Sequence, residues 1–443
     1  MFPFLSGKEL KTMSCSQKNP ALSAFSSAEL VAREAKLRAE YEAFKAQGLS
    51  LNMARGKPGA EQLDISLPLL ECVNAREGYL TEEGADGRNY GMLEGIPEAR
   101  RLFADLLGVK PENVIVGGNS SLNMMFDYIA TAFSRGVCGN KPWSEQGEVA
   151  FLCPAPGYDR HFAVTAYFGI RLITIPMTSA GPDMDAVEEA VKDPLVKGMW
   201  CVPMYSNPQG ITYSDDTVRR IAALKPAAPD FRVMWDNAYC IHHLGDDGDT
   251  LLNIFDELEK TGNPDMAVEF ASTSKISFPG AGVAVLAASE NNIADIRKRM
   301  TVQTIGADKL NMLRHVRYFK TADAVRDYMK RHAAVLRPRF EVVLKTLEER
   351  LGGRELAWWH TPKGGYFVSV DVVEGCAKRT VALLKEAGVA MTPAGATFPY
   401  GIDPRDSNIR IAPSYPSVED LQQAIDLFCL CAELAAIEKK LGK

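Results

Sequence analysis

The chain reads as an α/β protein with a seven-stranded, mostly parallel sheet in a large domain and a smaller α+β domain behind it. Three observations lead there. Short apolar runs recur at 113–118, 148–154, 171–176, 198–203, 231–237, 267–274 and 281–289. They are continuously hydrophobic rather than alternating, as expected of strands covered on both faces. Helical or loop segments separate them, the arrangement of a parallel sheet. The last two runs are parted only by the residues around Phe278-Pro279-Gly280, too few for a parallel crossover, so this pair should be antiparallel.

The remaining elements follow from local signals. Residues 26–47 form a charged amphipathic pattern that Ser26 or Ser27 can cap. Then comes LSLNMARGKPG, a strand breaking into a basic Gly-Pro loop. Residues 96–107 predict a helix stopped by Gly108. After Asn291 helical patterning runs to about Leu351. Strand-like GGYFVSVDVV, GVAMTPA and NIRIAPS follow, and a helix over 417–439 closes the chain. The expected division is 1–65, an N-terminal helix and loop joining the small domain; 66–305, the large domain; and 306–443, the small domain with its linking helix.

Bulk properties exclude several classes. The net charge is −6 and basic runs such as Arg297-Lys298-Arg299 are short. A nucleic-acid surface needs a concentrated basic face instead. Nine cysteines, an odd number without C-x-x-C spacing, predict reduced thiols and a cytoplasmic setting. His242-His243 has no further ligand at helical spacing, so no zinc site is expected. No 18-residue apolar run predicts a membrane helix. The opening MFPFLSGKELKTMS lacks the charged-then-apolar order of a secretory signal.

Ligands of open α/β sheets bind at the carboxyl ends of strands. There the chain carries a consistent polar set. The first strand ends in Gly117-Gly118-Asn119-Ser120-Ser121 before a helix, a backbone-rich site suited to a phosphate, although Ser120 alone could be only a helix cap. The second ends at Tyr158, held by prolines and able to stack on a flat ring or pack on the core. The fourth ends in Asn207-Pro208, whose amide can donate a hydrogen bond, or simply form a turn. The fifth ends in Asp236, with Tyr239 three residues on. A carboxylate after three apolar or aromatic residues, Val233-Met234-Trp235, is costly unless it meets a cation or caps a helix. The sixth ends in Ser272-Thr273-Ser274-Lys275. A lysine leaving a strand into a cavity can lose its proton and attack a carbonyl. Late in the chain, Arg410 sits inside the apolar strand NIRIAP, which suits a carboxylate held bidentately or a structural ion pair.

One ligand answers phosphate, planar ring, ring oxygen, basic ring nitrogen and aldehyde together: pyridoxal 5′-phosphate. Asp236 would face the ring nitrogen, Asn207 and Tyr239 the ring oxygen, and Lys275 the aldehyde. Arg410 would take a substrate α-carboxylate.

In this order the residues resemble fold-type I pyridoxal-phosphate enzymes, the class I/II aminotransferases. The matching residues are Tyr90 with Gly95, Gly118–Ser121, Tyr158, Asn207-Pro208, Asp236 with Tyr239, Ser272 with Lys275, Gly364-Gly365 and Arg410. The resemblance implies that Lys275 binds the cofactor and shuttles a proton. It implies that Tyr158 stacks on the ring and that Ser120, Ser121 and Ser272, with Asn119 and Ser274 beside them, hold the phosphate. It further implies that Tyr90 reaches the neighbouring subunit of a homodimer. One position departs from the pattern. The family usually has an arginine eight residues after the lysine; here it is Val283, with Gly282 before it. The phosphate then needs another cation, such as Arg88 across a dimer interface. With NMARGKPG, this is similar to a divergent MocR-like branch that includes bacterial aspartate aminotransferases. The stretch before the first matched loop is short for the DNA-binding module of true MocR regulators.

The implied reaction is amino transfer between an L-amino acid and a 2-oxo acid, with L-aspartate and 2-oxoglutarate foremost. Arg55 and Lys57 are then candidates for the distal carboxylate, unless their loop is merely solvated, and so is Arg88 from the neighbouring subunit. The alternatives are an aminotransferase of other specificity, a β-lyase, or a non-catalytic ligand sensor.

Overall fold

The computed structural model describes residues 20–443. The reading of residues 1–14 as lacking a secretory signal, and Cys15, lie outside them. The main sheet has eight strands, in the order Val114–Val116, Ala284–Ala288, Ala267–Ser272, Arg232–Asp236, Val196–Cys201, Ala150–Ala155, Arg171–Thr178 and Gly181–Pro182. All seven expected strands are present. The eighth is a two-residue arm antiparallel to Arg171–Thr178, too short to register as an apolar run.

The central pairs are parallel. Ala267–Ser272 and Ala284–Ala288 are antiparallel, as their short connection requires. Ala284–Ala288 also runs antiparallel to Val114–Val116. The carboxyl ends of Val114–Val116, Ala150–Ala155, Val196–Cys201, Arg232–Asp236 and Ala267–Ser272 therefore share one side of the sheet. Every residue of Ala150–Ala155, Val196–Cys201 and Arg232–Asp236 is buried, which is why these strands read as unbroken apolar runs. Trp143, Trp200 and Trp235 fill the layers around them. Each removes on the order of 150–250 Å² from water, so the site rests on a stiff base.

The helix Ser27–Lys45 starts at Ser26, whose hydroxyl and Glu29 form a capping box. Pro97–Leu107 ends at Gly108, with φ 68°. The helical region after residue 291 is three helices rather than one, Glu290–Gln303, Lys309–Phe319 and Ala322–Leu351. Asp308 and Thr321 restart it by accepting from the amides of Asn311 and Ala324.

A second sheet pairs Ala357–Trp359, Val368–Val372 and Asn408–Ile411 antiparallel. Its three-residue edge strand, Ala357–Trp359, escaped the sequence reading because two of its three residues are not buried and it shows no apolar face. GVAMTPA supplies no strand to that sheet. Its Val389–Ala390 pairs parallel with Leu51–Asn52 and so stitches the N-terminal segment to the C-terminal part. Glu433, on the closing helix Val418–Lys440, adds a second tie: it binds Arg33 at 2.8 Å and Arg354 at 2.6 Å. Among the described residues no helix is long and apolar enough to cross a membrane.

Candidate active site

The shared carboxyl ends open into a cavity of about 540 Å³. Asp236, the last residue of its strand, is 5 % exposed. Its Oδ2 lies 2.9 Å from Nε2 of His161, whose ring stacks on Trp200 at 4.3 Å. Its Oδ1 is buried with no hydrogen-bond partner. A buried carboxylate oxygen without a donor is costly, so this atom is set for an incoming N–H. That orphaned oxygen fits the ring nitrogen of pyridoxal phosphate.

Lys275 lines the same cavity. Its Nζ lies 5.0 Å from the centroid of the Tyr239 ring and 5.8 Å from that of Tyr366. Burial pulls the amine below the ordinary lysine range, and the Asp236 charge opposes it. The result favours a free amine, the form able to capture an aldehyde. Tyr239 is buried, and burial pushes its hydroxyl far above its usual value, so it stays a neutral donor. Burial also raises Tyr158 to about 12.

Asn207 is fixed by Arg410, whose Nη1 donates to its Oδ1 at 3.1 Å. That bond leaves the Asn207 amide N–H group free for a ligand. The Arg410 Nη2 donates to Thr392 at 3.2 Å, and its guanidinium packs over Phe367 at 4.8 Å. Its Nε is buried and unpartnered, a donor held in reserve. Arg410 lines the same cavity as Asp236 and is carried by the wholly buried strand Asn408–Ile411.

The hydroxyl cluster also assembles. Ser120, Ser121, Ser272 and Ser274 all line the cavity. Ser272 donates to Ser274 at 3.1 Å, and Ser120 caps the helix Ser121–Arg135. The capping and anion-binding readings of Ser120 are thus compatible, since both use the helix N-terminus.

Four sequence candidates lie elsewhere. Asn119 is exposed, donates to the Pro279 carbonyl at 3.1 Å and faces a neighbouring cavity. Lys57 is turned onto Tyr415, its Nζ 4.0 Å from the ring centroid. Tyr90 is 82 % exposed and outside the cavity. Arg88 is held by Asp86 of its own chain. Arg55, by contrast, lines the cavity. Val283 is buried, its amide bonded to Thr273, so that position cannot present a side chain to an anion.

Three residues at the site escaped the sequence reading. His161 looked like an ordinary helical residue; its signal was its place three after Tyr158, on the same helix face. Asp159 approaches Arg410 at 3.5 Å, and Arg160 lines the cavity. Neither carries a sequence signal beyond two opposite charges directly after Tyr158.

Comparison with known proteins adds independent findings. A family model described as aspartate amino-transferase matches residues 25–443. An aspartate aminotransferase of Corynebacterium glutamicum is 46% identical over 403 residues, 91% of this chain and 93% of that protein. A putative aminotransferase of Mycolicibacterium smegmatis is 49% identical over 417 residues, 94% of this chain and 97% of that one. The crystal structure of an aspartate transaminase from Corynebacterium glutamicum superposes with a TM-score of 0.92 at 44% identity, covering 95% of this chain and 99% of that one.

Proposed function

This chain belongs to the aspartate amino-transferase family, and on that premise we propose that it transfers an amino group from L-aspartate to 2-oxoglutarate with pyridoxal 5′-phosphate. The observation that carries the cofactor is the unpartnered Oδ1 of Asp236 facing a cavity that also holds Lys275. The cofactor, when bound, supplies an aldehyde for the substrate amine and a ring that accepts the electron pair left at Cα.

The chain's own groups do the rest. Asp236 keeps a proton on the ring nitrogen, and His161 holds the carboxylate in line. Asn207 and Tyr239 donate to the ring oxygen. Ser120, Ser121, Ser272 and Ser274 receive the phosphate. Arg410 orients the substrate by its α-carboxylate. Lys275, with its lowered pKa, would take the Cα proton and return it to the former aldehyde carbon on the other side of the amino nitrogen. We assign residues 66–305 to the cofactor-binding domain and the flanking segments 1–65 and 306–443 to the smaller one. Two copies pair as a homodimer, each presenting its exposed Tyr90 to the other's cavity.

The test is incubation with L-aspartate and 2-oxoglutarate. Oxaloacetate and glutamate in equal amounts support the reading. Pyruvate and ammonia from a cysteine-type substrate, with no glutamate from aspartate, would replace it with a lyase.

A further inference from the structure

We propose that a second cavity, on the opposite face of the sheet end that carries Asp236, binds a small organic cation of the alkylguanidinium type on Glu269 and Asn237. The amino-transfer reading makes no use of this cavity, and the inference stands without it.

Strand geometry separates the two cavities. Side chains alternate across a sheet, and residues opposite each other on neighbouring strands share a face. Asp236 turns towards His161 and the catalytic cavity. Trp235 and Asn237, on either side of it, therefore turn the other way. Glu269 is the register partner of Trp235 and joins them. These three border a cavity of about 430 Å³ that shares no lining residue with the catalytic one.

Glu269 is 3 % exposed. Its Oε1 accepts from Nδ2 of Asn237 at 2.8 Å, and among the described residues no group donates to its Oε2. Asn237 is 9 % exposed, and its Oδ1 is buried without a hydrogen-bond partner. Two acceptors with open valences, one of them on a buried carboxylate, call for a cation that carries several N–H donors. A guanidinium presents five in one plane. Trp235, Leu251 and Leu252 offer an apolar wall to its alkyl chain.

The charges around Glu269 leave room for that cation. Asp105 and Asp249 add two more carboxylates to the same cavity. Arg326 is the only lysine or arginine among the described lining residues, and Asp323 already holds it at 2.7 Å. His243 and Cys240 complete the titratable groups there. Burial lowers the imidazole and raises the thiol to about 12, so both are neutral at pH 7. Burial also raises Glu269 to about 7, which leaves it half protonated at that pH. A bound cation favours the carboxylate and so expels the proton.

The experiment is calorimetric titration of the cofactor-loaded protein with butylguanidinium at pH 7, in two buffers of different ionisation enthalpy. A guanidinium stays protonated, so it does not react with the cofactor's aldehyde as a primary amine would. One ligand should bind per chain, with release of about half a proton. Butylurea, of similar shape but neutral, should bind at least about tenfold more weakly. Glu269→Gln should lose about ten- to a hundredfold in butylguanidinium affinity, the loss of one charge-assisted contact, and should release no proton. That substitution removes a buried charge, so urea unfolding at pH 8 should show the variant folded and no less stable than the wild type. The comparison of ligands and the proton count need only the wild type. No saturable binding, equal affinity for butylurea, binding without proton release, or unchanged affinity in Glu269→Gln would each overturn the proposal.

Discussion

The floor and the mouth of the cavity are built on different principles. At the floor, Asp236 is 5 % exposed, bound by His161 on one oxygen and left open on the other. At the mouth, Arg55 and Arg160 are exposed on a loop and a helix start. An unpaired polar atom at the floor costs free energy that only a matching ligand recovers. An unpaired cation at the mouth is solvated at little cost. The floor therefore fixes the chemistry tightly, while the mouth is free to vary and sets which substrate enters.

Four changes would break or sharpen that contrast. Lys275→Ala strikes the floor hardest: removing the proton-transfer group should lower turnover by on the order of 10²–10⁴-fold. Glutamate formation from aspartate and 2-oxoglutarate measures it. A variant within tenfold of wild type would mean the floor does not act through this lysine. His161→Phe keeps a ring against Trp200 but removes the donor to Asp236. Turnover should fall about tenfold or more, with KM little changed. An equal rise in KM would instead point to a disturbed mouth.

Glu269 tests the rear of the floor. It is buried on the strand beside Asp236, and burial raises it from 4.5 to about 7. Between those values the native state binds a proton that the unfolded chain has lost, so stability falls as pH rises through this window. Above it the penalty is about 3 kcal/mol. Glu269→Gln can still accept from Asn237, whose Nδ2 lies 2.8 Å from the wild-type carboxylate. Urea unfolding should show the variant more stable than wild type at pH 8, with the gap closing towards pH 4.5. A constant gap would contradict the burial argument. The smallest effect belongs to Lys57→Gln, just beyond the mouth. Lys57 packs on Tyr415 outside the cavity, so kcat/KM for aspartate should stay within about twofold. A larger drop would return this lysine to the site.

The same physical difference governed what the sequence revealed. Asp236, Asn207 and Arg410 stood out because each is a polar residue at or inside an apolar strand, where burial demands a partner. Lys275 stood out through its strand-ending hydroxyls. The seven strands were legible for the same reason, since full burial leaves unbroken apolar runs. His161 was not legible, because a histidine in an amphipathic helix carries no mark of the carboxylate it meets across the fold. Asp159 and Arg160 carry no mark either, since an acidic-basic pair is common in a first helical turn. Lys57 and Arg88 were offered as ligands because loop cations have no sequence signal for direction; tertiary packing turned one onto Tyr415 and the other onto Asp86.

The central claim is that Lys275 is the residue on which the site's chemistry turns. The most direct test is to load the protein with pyridoxal phosphate, reduce it with borohydride and map the modified peptide by mass spectrometry. The structure predicts a stable phosphopyridoxyl group on Lys275 alone, absent in Lys275→Ala. A label on another lysine, or one that persists in the variant, would contradict it.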